Sequence, residues 1–587
     1  VSGRAEHALE EMLALATAIS AARDLPSLLQ RILTTARQLT CSDAGSIYLL
    51  ESADNLRFAA FQNGSLSEET PAAAAAIVGD APPLLPVSTD SLVGWSVLSG
   101  ETLALEDVYA IPAERPYRFD RRLDQLLGYR ACSMLVLPLR TTAGRVVGVM
   151  QLINRRHEAL DQPLDPASVA SQVRAYDAGD RQLITSLAGL AAVCVERTRL
   201  LEDQQRQIDS MIALLAGAID AKSPHTGRHC SRVPELAVML AEAAEEEAVG
   251  RLAGFRFRDA QEWREFRTAA WLHDCGKVTT PELIIDKATK LEAPTNRIHE
   301  IRTRFEVLRR DLRIAQLEGL LAGGDAAALQ RLHDDGVADL ERDFAFIARC
   351  NLGGEGGDEG MEEADLERLR QLAGRTWLRH FDDRLGLGWE ESSRCPEPPP
   401  PLPAPEPLLA DDPRHRIPRP ADELPDPRWG FTLAPTPLLY DRGELHNLSV
   451  RRGTLTAEEI YKIREHMVQT VIMLESISFP PGLARVPAIA GAHHETLDGH
   501  GYPRGLRAEQ LSIPARILAI ADIFEALTAC DRPYKRGKPL SEAVAILRRH
   551  AEAGRLDADL CALLWRSGVA RRFAERFLPP QQNDLPA

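Results

Sequence analysis

Cysteine is scarce in this sequence: nine residues in 587, scattered singly. That usage supplies neither a disulfide framework nor a zinc knuckle, and it suits a reducing compartment. Long apolar runs are missing as well, none approaching the ~18 residues that a membrane-spanning helix needs. The opening stretch from Val1 to Ala16 carries Glu10 and Glu11 where a secretory signal requires an unbroken apolar segment, so a cytoplasmic location is expected. Val1 in place of Met fits a truncated or non-standard start. Positive charge is in deficit, with 69 Lys and Arg against 85 Asp and Glu and a net charge of −16. That balance argues against duplex DNA or an anionic membrane surface as the main partner, so no nucleic-acid polymer and no membrane are expected. The remainder, 44% hydrophobic and 26% charged, excludes wholesale disorder. The length predicts about three folding units.

Residues 1–180 mix helix and strand patterns. Met134–Leu139 and Val146–Ile153 are short β-rich runs separated by the turn-forming Thr141–Gly144, which predicts an antiparallel hairpin. Helical patterns at Leu25–Leu39 and Arg181–Leu201 flank them, giving an α+β domain. Over residues 181–222 an apolar stripe continues through Leu183, Leu187, Leu190, Val193, Leu200, Ile208, Met211 and Leu215. This is either a helix packed on its own domain or a parallel coiled coil joining two subunits; Glu202, Asp203, Arg206 and Asp209 favour the coiled coil and hence a homodimer. Beyond Lys222 the pattern is almost entirely helical until Cys395–Pro437, where proline forbids helix and central strand.

Imidazoles and carboxylates concentrate in three blocks: His229 with His273-Asp274, then His466, then His493-His494 with Asp522. Together they form a ligand set for iron, manganese or zinc. Asp522 sits among Ile517, Leu518, Ile520, Ile523, Phe524 and Leu527, where an unpaired carboxylate is costly and a bound cation removes the cost. Any one of these residues alone could be an ordinary packing histidine or ion-paired aspartate; their joint occurrence around HHETLDGHGYP could not. The segments HTGRHCSRV, LHDCGKVTTPELIIDK, GTLTAEEIYKIREHM, HHETLDGHGYPRGL and IPARILAIADIFEALTACDRPYK resemble, in order, the HD-GYP phosphodiesterases.

The resemblance implies an all-α catalytic domain in two parts, 223–291 and 454–587, separated by an insertion at 292–453 that is charged and helical, then Pro-rich. It implies a metal centre of His229, His273, Asp274, His466, His493, His494 and Asp522, holding two divalent ions, Fe or Mn, with a third if His225 ligates instead of lining the pocket. Asp274 and Lys277 would serve catalysis. Lys277, Arg532 and Lys535 would hold substrate phosphates, and the Gly501-Tyr502-Pro503 loop would shape the substrate site and meet GGDEF-type cyclase partners. Gly501 is expected to supply an unusual backbone angle. The implied reaction is metal-assisted hydrolysis of cyclic di-GMP to pGpG and onward to GMP. Two other functions stay open: a cyclic-dinucleotide receptor or scaffold, and an HD hydrolase of another phosphoester.

The front domain resembles GAF domains through LPSLLQRILTTARQLTCSDAGSIYLL, GYRACSMLVLPL and GRVVGVMQLINRR. Its ligand is unassigned: Asn154, Arg155, Tyr176 and Asp180 align with a cyclic-nucleotide pattern, but Arg181 replaces its final Glu. Cys132 reads as a buried core thiol. Two imitations are set aside, the Gly-rich Gly353–Gly357 and Leu332–Gly336 (LHDDG), which reads as a helix end. The insertion is expected either to form a partial lid or a partner-docking arm near the active site, or to be a tolerated surface excursion.

Overall fold

The computed structural model describes residues 24–65, 84–157, 163–222, 229–353, 360–530 and 537–584. The chain divides into two units, Val1–Ile208 and Asp209–Ala587.

In the first unit, helix α1 (Leu25–Thr40) starts where Asp24 accepts a hydrogen bond from the Ser27 amide at 2.7 Å. Six strands follow: β1 (Ser42–Ser52), β2 (Asn55–Asn63), β3 (Leu85–Pro86), β4 (Leu103–Leu105), β5 (Met134–Arg140) and β6 (Val146–Arg155). They form one antiparallel sheet in the order β3-β2-β1-β6-β5-β4, with β5 and β6 paired as the hairpin pattern predicts. Alternation divides the strands between two cores. Ile47, Leu135, Met150 and Leu152 face α1 and the start of α2 (Ala178–Lys222), meeting Leu29, Ile32, Leu33, Ile184, Leu187 and Val195. Tyr48, Met134, Val136 and Val149 face the other way, towards Phe58, Leu92 and Tyr117. The aligned nucleotide-pattern residues make internal contacts: buried Arg155 pairs with Asp180 at 2.7 Å, and Tyr176 shares a hydrogen bond with Ser42 at 2.8 Å.

The second unit is mainly helical: α3 (His229–Glu246), α4 (Ala260–Leu272), α5 (Ile298–Leu321), α6 (Ala326–Asn351), α7 (Glu363–Ala373), α8 (Ala457–Glu475), α9 (Ile513–Thr528), α10 (Leu540–Glu552), α11 (Ala558–Arg566) and α12 (Val569–Phe577). Its main core joins Val233, Leu236 and Leu240 of α3 to Phe266, Ile517, Phe524, Leu560 and Phe573. Start signals are explicit. Thr456 and Glu459 form a capping box at α8, and Ser512 caps α9 ahead of Pro514.

Residues 292–453 contain a folded body with an apolar core of Ile301, Phe305, Leu340, Phe346, Ile347, Leu369, Leu408 and Leu448. Fully buried Glu444 braces it, accepting from Arg297 at 2.9 Å and Arg304 at 2.6 Å. The Pro-rich stretch forms two-stranded ladders of Thr376–Arg379 with Ala404–Pro407 and of Arg416–Pro418 with Leu438–Asp441, positions where missing proline donors are tolerated. The LHDDG segment does not end a helix; it lies inside α6. Gly336 is used there for close packing, since a methyl group on it would lie 3.0 Å from Leu312 Cδ1 of α5. Most of the Gly353–Gly357 run falls outside the described residues.

Candidate metal centre

Each expected ligand that is described sits at an element end or on a buried helix face of the second unit. His229 opens α3, His273 follows the last turn of α4, and Asp274 begins a 3₁₀ turn over Cys275–Thr279. His466 lies on α8 and Asp522 on α9. His493 and His494 follow the short helix Val486–Ala490. Two groups of ligand atoms result, each with its atoms within 4.8 Å of one another: His229, His273, Asp274 and Asp522, and His466, His493 and His494.

Asp274 faces both groups. Its Oδ2 lies 3.1 Å from His229 Nε2 and 3.2 Å from His273 Nε2, while its Oδ1 lies 3.3 Å from His466 Nε2 and 3.8 Å from His493 Nε2. Asp522 Oδ1 lies 3.2 Å from His229 Nε2. Three imidazoles are oriented through their other nitrogen. Nδ1 of His273, His466 and His493 donates to the carbonyls of Ala270, Ile463 and Ala490 at 2.8, 2.5 and 2.7 Å. That leaves their Nε2 lone pairs aimed inward, and these three atoms and Asp274 Oδ1 are buried without a hydrogen bond. Buried polar atoms are rarely left so. Three imidazole lone pairs and a carboxylate oxygen that converge without donors fit a divalent cation centre.

Electrostatics agree. Burial pushes the Asp274 and Asp522 carboxyls up, but Lys277 and His273 beside Asp274, and His229 and His494 beside Asp522, outweigh it and hold both well below the usual range. Burial and the neighbouring His273 push His493 down to about 4, and burial with His493 lowers His494 as well, so both rings are neutral and competent to ligate. His229 moves the other way: burial and Lys277 lower it, but Glu525, Asp274 and Asp522 outweigh them and raise it. Its carboxylate cage attracts positive charge, whether a proton or a metal ion.

Two partners were not singled out by the sequence reading. Glu525 Oε2 accepts from His229 Nδ1 at 2.5 Å, and Glu525 Oε1 accepts from Arg232 Nε at 2.6 Å. Their sequence signal was spacing, because Glu525 is one helical turn after Asp522 and Arg232 one turn after His229.

Lys277 Nζ donates to Asp274 Oδ2 at 2.5 Å. Gly276 explains the tightness of this turn: a methyl group there would fall 2.0 Å from the His466 carbonyl oxygen, and its amide donates to Thr470 Oγ1 at 2.9 Å. His225, Arg532 and Lys535 lie outside the described residues.

The Tyr502 ring stacks on His494, with centroids 4.9 Å apart and planes 17° apart. Gly501 does not supply a left-handed angle; Gly499 and Gly505 do, at φ +79 and +66. Gly501 is needed for close approach, since a methyl group would lie 2.4 Å from Glu495 Cα. Glu495 ties the loop down by accepting from the Arg504 and Leu506 amides at 2.7 and 2.9 Å.

The 292–453 segment reaches this loop. Thr432 and Leu433 amides donate to the Pro503 carbonyl at 2.8 and 3.3 Å. Arg504 Nε donates to the Trp429 carbonyl at 3.2 Å and its guanidinium lies over Phe431 at 5.7 Å. Arg419, its side chain almost covered, lies over Tyr461 of α8 at 4.5 Å and 3.7 Å from Glu465, next to His466. Residues 419–433 are thus not a detached surface excursion.

Comparison with known proteins supports both domains. Residues 404–560 match the HD domain family, and residues 22–196 match the GAF domain family. The HD match begins within the segment read as an insertion and does not extend to His229, His273 or Asp274. A 3′3′-cGAMP-specific phosphodiesterase of Vibrio cholerae is 38% identical over 135 residues, 22% of this chain and 30% of that protein. A cyclic di-GMP phosphodiesterase of Thermotoga maritima is 40% identical over 108 residues, 18% and 29% respectively. Another of Pseudomonas aeruginosa is 38% identical over 133 residues, 22% and 30%. The chain spans about 30% of the length of these curated relatives. No helix among the described residues is long and apolar enough to cross a membrane. The chain thus combines a GAF domain at residues 22–196 with an HD domain at residues 404–560, and the relatives named above are cyclic-dinucleotide phosphodiesterases.

Proposed function

We propose that this protein is a metal-dependent phosphodiesterase that opens a cyclic dinucleotide, cyclic di-GMP in the first instance, to linear pGpG, with GMP the product of a second cut. The observation that carries the reading is the convergence of five histidines and two aspartates, with inward-facing nitrogen atoms that make no hydrogen bond. His229, His273, Asp274 and Asp522 would hold one cation and His466, His493 and His494 the other, with Asp274 between them. The imidazole-carboxylate mixture suits Fe or Mn. When bound, such ions activate water and offset the charge on a phosphate.

The chain's own groups do the rest. Lys277 sets the orientation of Asp274 and brings positive charge to the mouth of the site. Tyr502 covers His494 and limits water there. Hydrolysis adds water across one P–O3′ bond: oxygen joins phosphorus, and the proton leaves with the ribose O3′. A third ion would require His225, and Arg532 and Lys535 would add phosphate contacts. Domain boundaries are proposed at 1–180, 181–222, 223–291, 292–453 and 454–587. The GAF domain would bind a small ligand and gate the hydrolase. Leu200, Met211 and Leu214 on α2 are exposed, which supports pairing with a second copy; a monomer in sedimentation at micromolar concentration would overturn that dimer.

The test is turnover of cyclic di-GMP by the full chain loaded with Mn or Fe, against His273→Ala. Turnover lost in the variant supports the hydrolase. Binding without turnover identifies a receptor, and turnover of other phosphoesters alone identifies a different HD hydrolase.

A further inference from the structure

A cyclic dinucleotide carries two phosphodiester groups, and the metal centre accounts for one. Arg464 lies two residues before His466 on α8, exposed, with its guanidinium 5.3 Å from the centre of the Tyr502 ring. Tyr502 is in turn stacked on His494. The neighbouring cations are engaged: Lys277 with Asp274, Lys462 with Glu465, Arg419 with Glu465 and Tyr461, Arg504 with Trp429 and Phe431. Arg464 makes no ion pair and no side-chain hydrogen bond among the described residues, and no sequence pattern had marked it.

A guanidinium over an aromatic ring keeps its planar fork of donors available, the geometry that grips a phosphate through two oxygens. Its support is fixed. The Tyr502 amide donates to the His494 carbonyl at 3.1 Å, and the next residue, Pro503, accepts from Thr432 and Leu433. A cation held at a set place beside a metal ligand loses less freedom on binding than a loose surface arginine.

We propose that Arg464 binds the second, uncut phosphodiester of the substrate, with Tyr502 as its pedestal. This rests on the cyclic-dinucleotide reading above and extends it to a residue that distinguishes a two-phosphate ring from a simple phosphodiester.

The experiment compares the full-length wild type with Arg464→Gln and Arg464→Lys. Three readouts are taken: KM and kcat on cyclic di-GMP, kinetics on bis(p-nitrophenyl) phosphate, which has one phosphate, and calorimetric binding of cyclic di-GMP to EDTA-treated protein at low and high salt. In Arg464→Gln, KM for the dinucleotide rises tenfold or more while kcat stays within about twofold. The one-phosphate substrate is spared. Metal-free affinity falls in step, and its salt dependence flattens because one exposed charge contact is gone. Arg464→Lys recovers part of the loss. An unchanged KM would overturn the proposal, as would equal losses on both substrates, which would mark Arg464 as a prop for Tyr502. If the wild type neither binds nor cuts cyclic di-GMP, the underlying reading falls and the assignment with it; if only Arg464→Gln matches an active wild type, the assignment alone falls.

Discussion

Replacing Glu525 by Gln separates the proposed metal-holding role of its contacts from their role in stability. The carboxylate accepts one hydrogen bond from His229 Nδ1 and one from Arg232 Nε, and is almost fully buried. Gln keeps the shape but turns one acceptor into a donor, so one of those two N–H groups loses its partner at a cost of about 1–3 kcal/mol. If His229 answers by moving its proton to Nε2, that proton lands between Asp274 and Asp522, on the atom proposed to hold a cation. Loss of such a partner to a ligating histidine lowers metal affinity about 10–100-fold, or about 1.4–2.8 kcal/mol. Glu525→Ala goes further, removing the negative half of a buried pair with Arg232 and destabilising the fold by about 3–5 kcal/mol. Chelator competition with Mn(II), read beside thermal melting, separates the two effects. Glu525→Gln should fold and bind metal weakly; a variant that melts lower yet binds metal within twofold of wild type would refute the argument.

Gly276→Ala places a methyl group 2.0 Å from the His466 carbonyl oxygen, so the turn bearing Asp274 must move off α8. A loss of about 1–3 kcal/mol and a reduced metal content are expected from melting curves and metal analysis; wild-type values for both would contradict the close packing. Phe431→Ala and Arg504→Ala each remove a side-chain contact between the Tyr502-Pro503 loop and the 292–453 segment while leaving the main-chain bonds to Pro503, so hydrogen exchange at residues 501–506 should accelerate modestly; unchanged exchange in both would deny these side chains a holding role. Burial, helped by the Arg297 cation, lowers the His415 pKa below 6.5. The unfolded chain therefore takes up this proton first as pH falls, and stability is lost below about pH 6.5. His415→Gln should flatten the fall in melting temperature as the pH drops below 6.5; parallel profiles would show that this imidazole contributes nothing.

The candidate ligands could be picked out because their chemistry is local: His-Asp, His-His and an aspartate inside an apolar helix each stand out without knowledge of the fold, and the structure brings them together. The β5-β6 hairpin was legible from two short β-rich runs around a turn, and α1 from the helical pattern at Leu25–Leu39. Glu525 and Arg232 were not, because a glutamate and an arginine on helices are commonplace until 293 residues of chain are folded between them. Gly501 was misread for a physical reason: sequence cannot distinguish a glycine needed for backbone angle from one needed for space. LHDDG was misread similarly, since Gly336 marks the closeness of α5 and not a helix end. The segment at 429–433 has no periodicity, and its grip on Pro503 runs through main-chain atoms that every residue type shares.

That last property sets what this protein can tolerate as it diverges. Amides at positions 432 and 433 survive almost any exchange of side chain except to proline. They do not survive a change of length. One residue gained or lost between the Arg416–Pro418 and Leu438–Asp441 ladder strands would slide both donors past the Pro503 oxygen. Related chains should therefore vary freely in composition across this stretch while keeping its residue count.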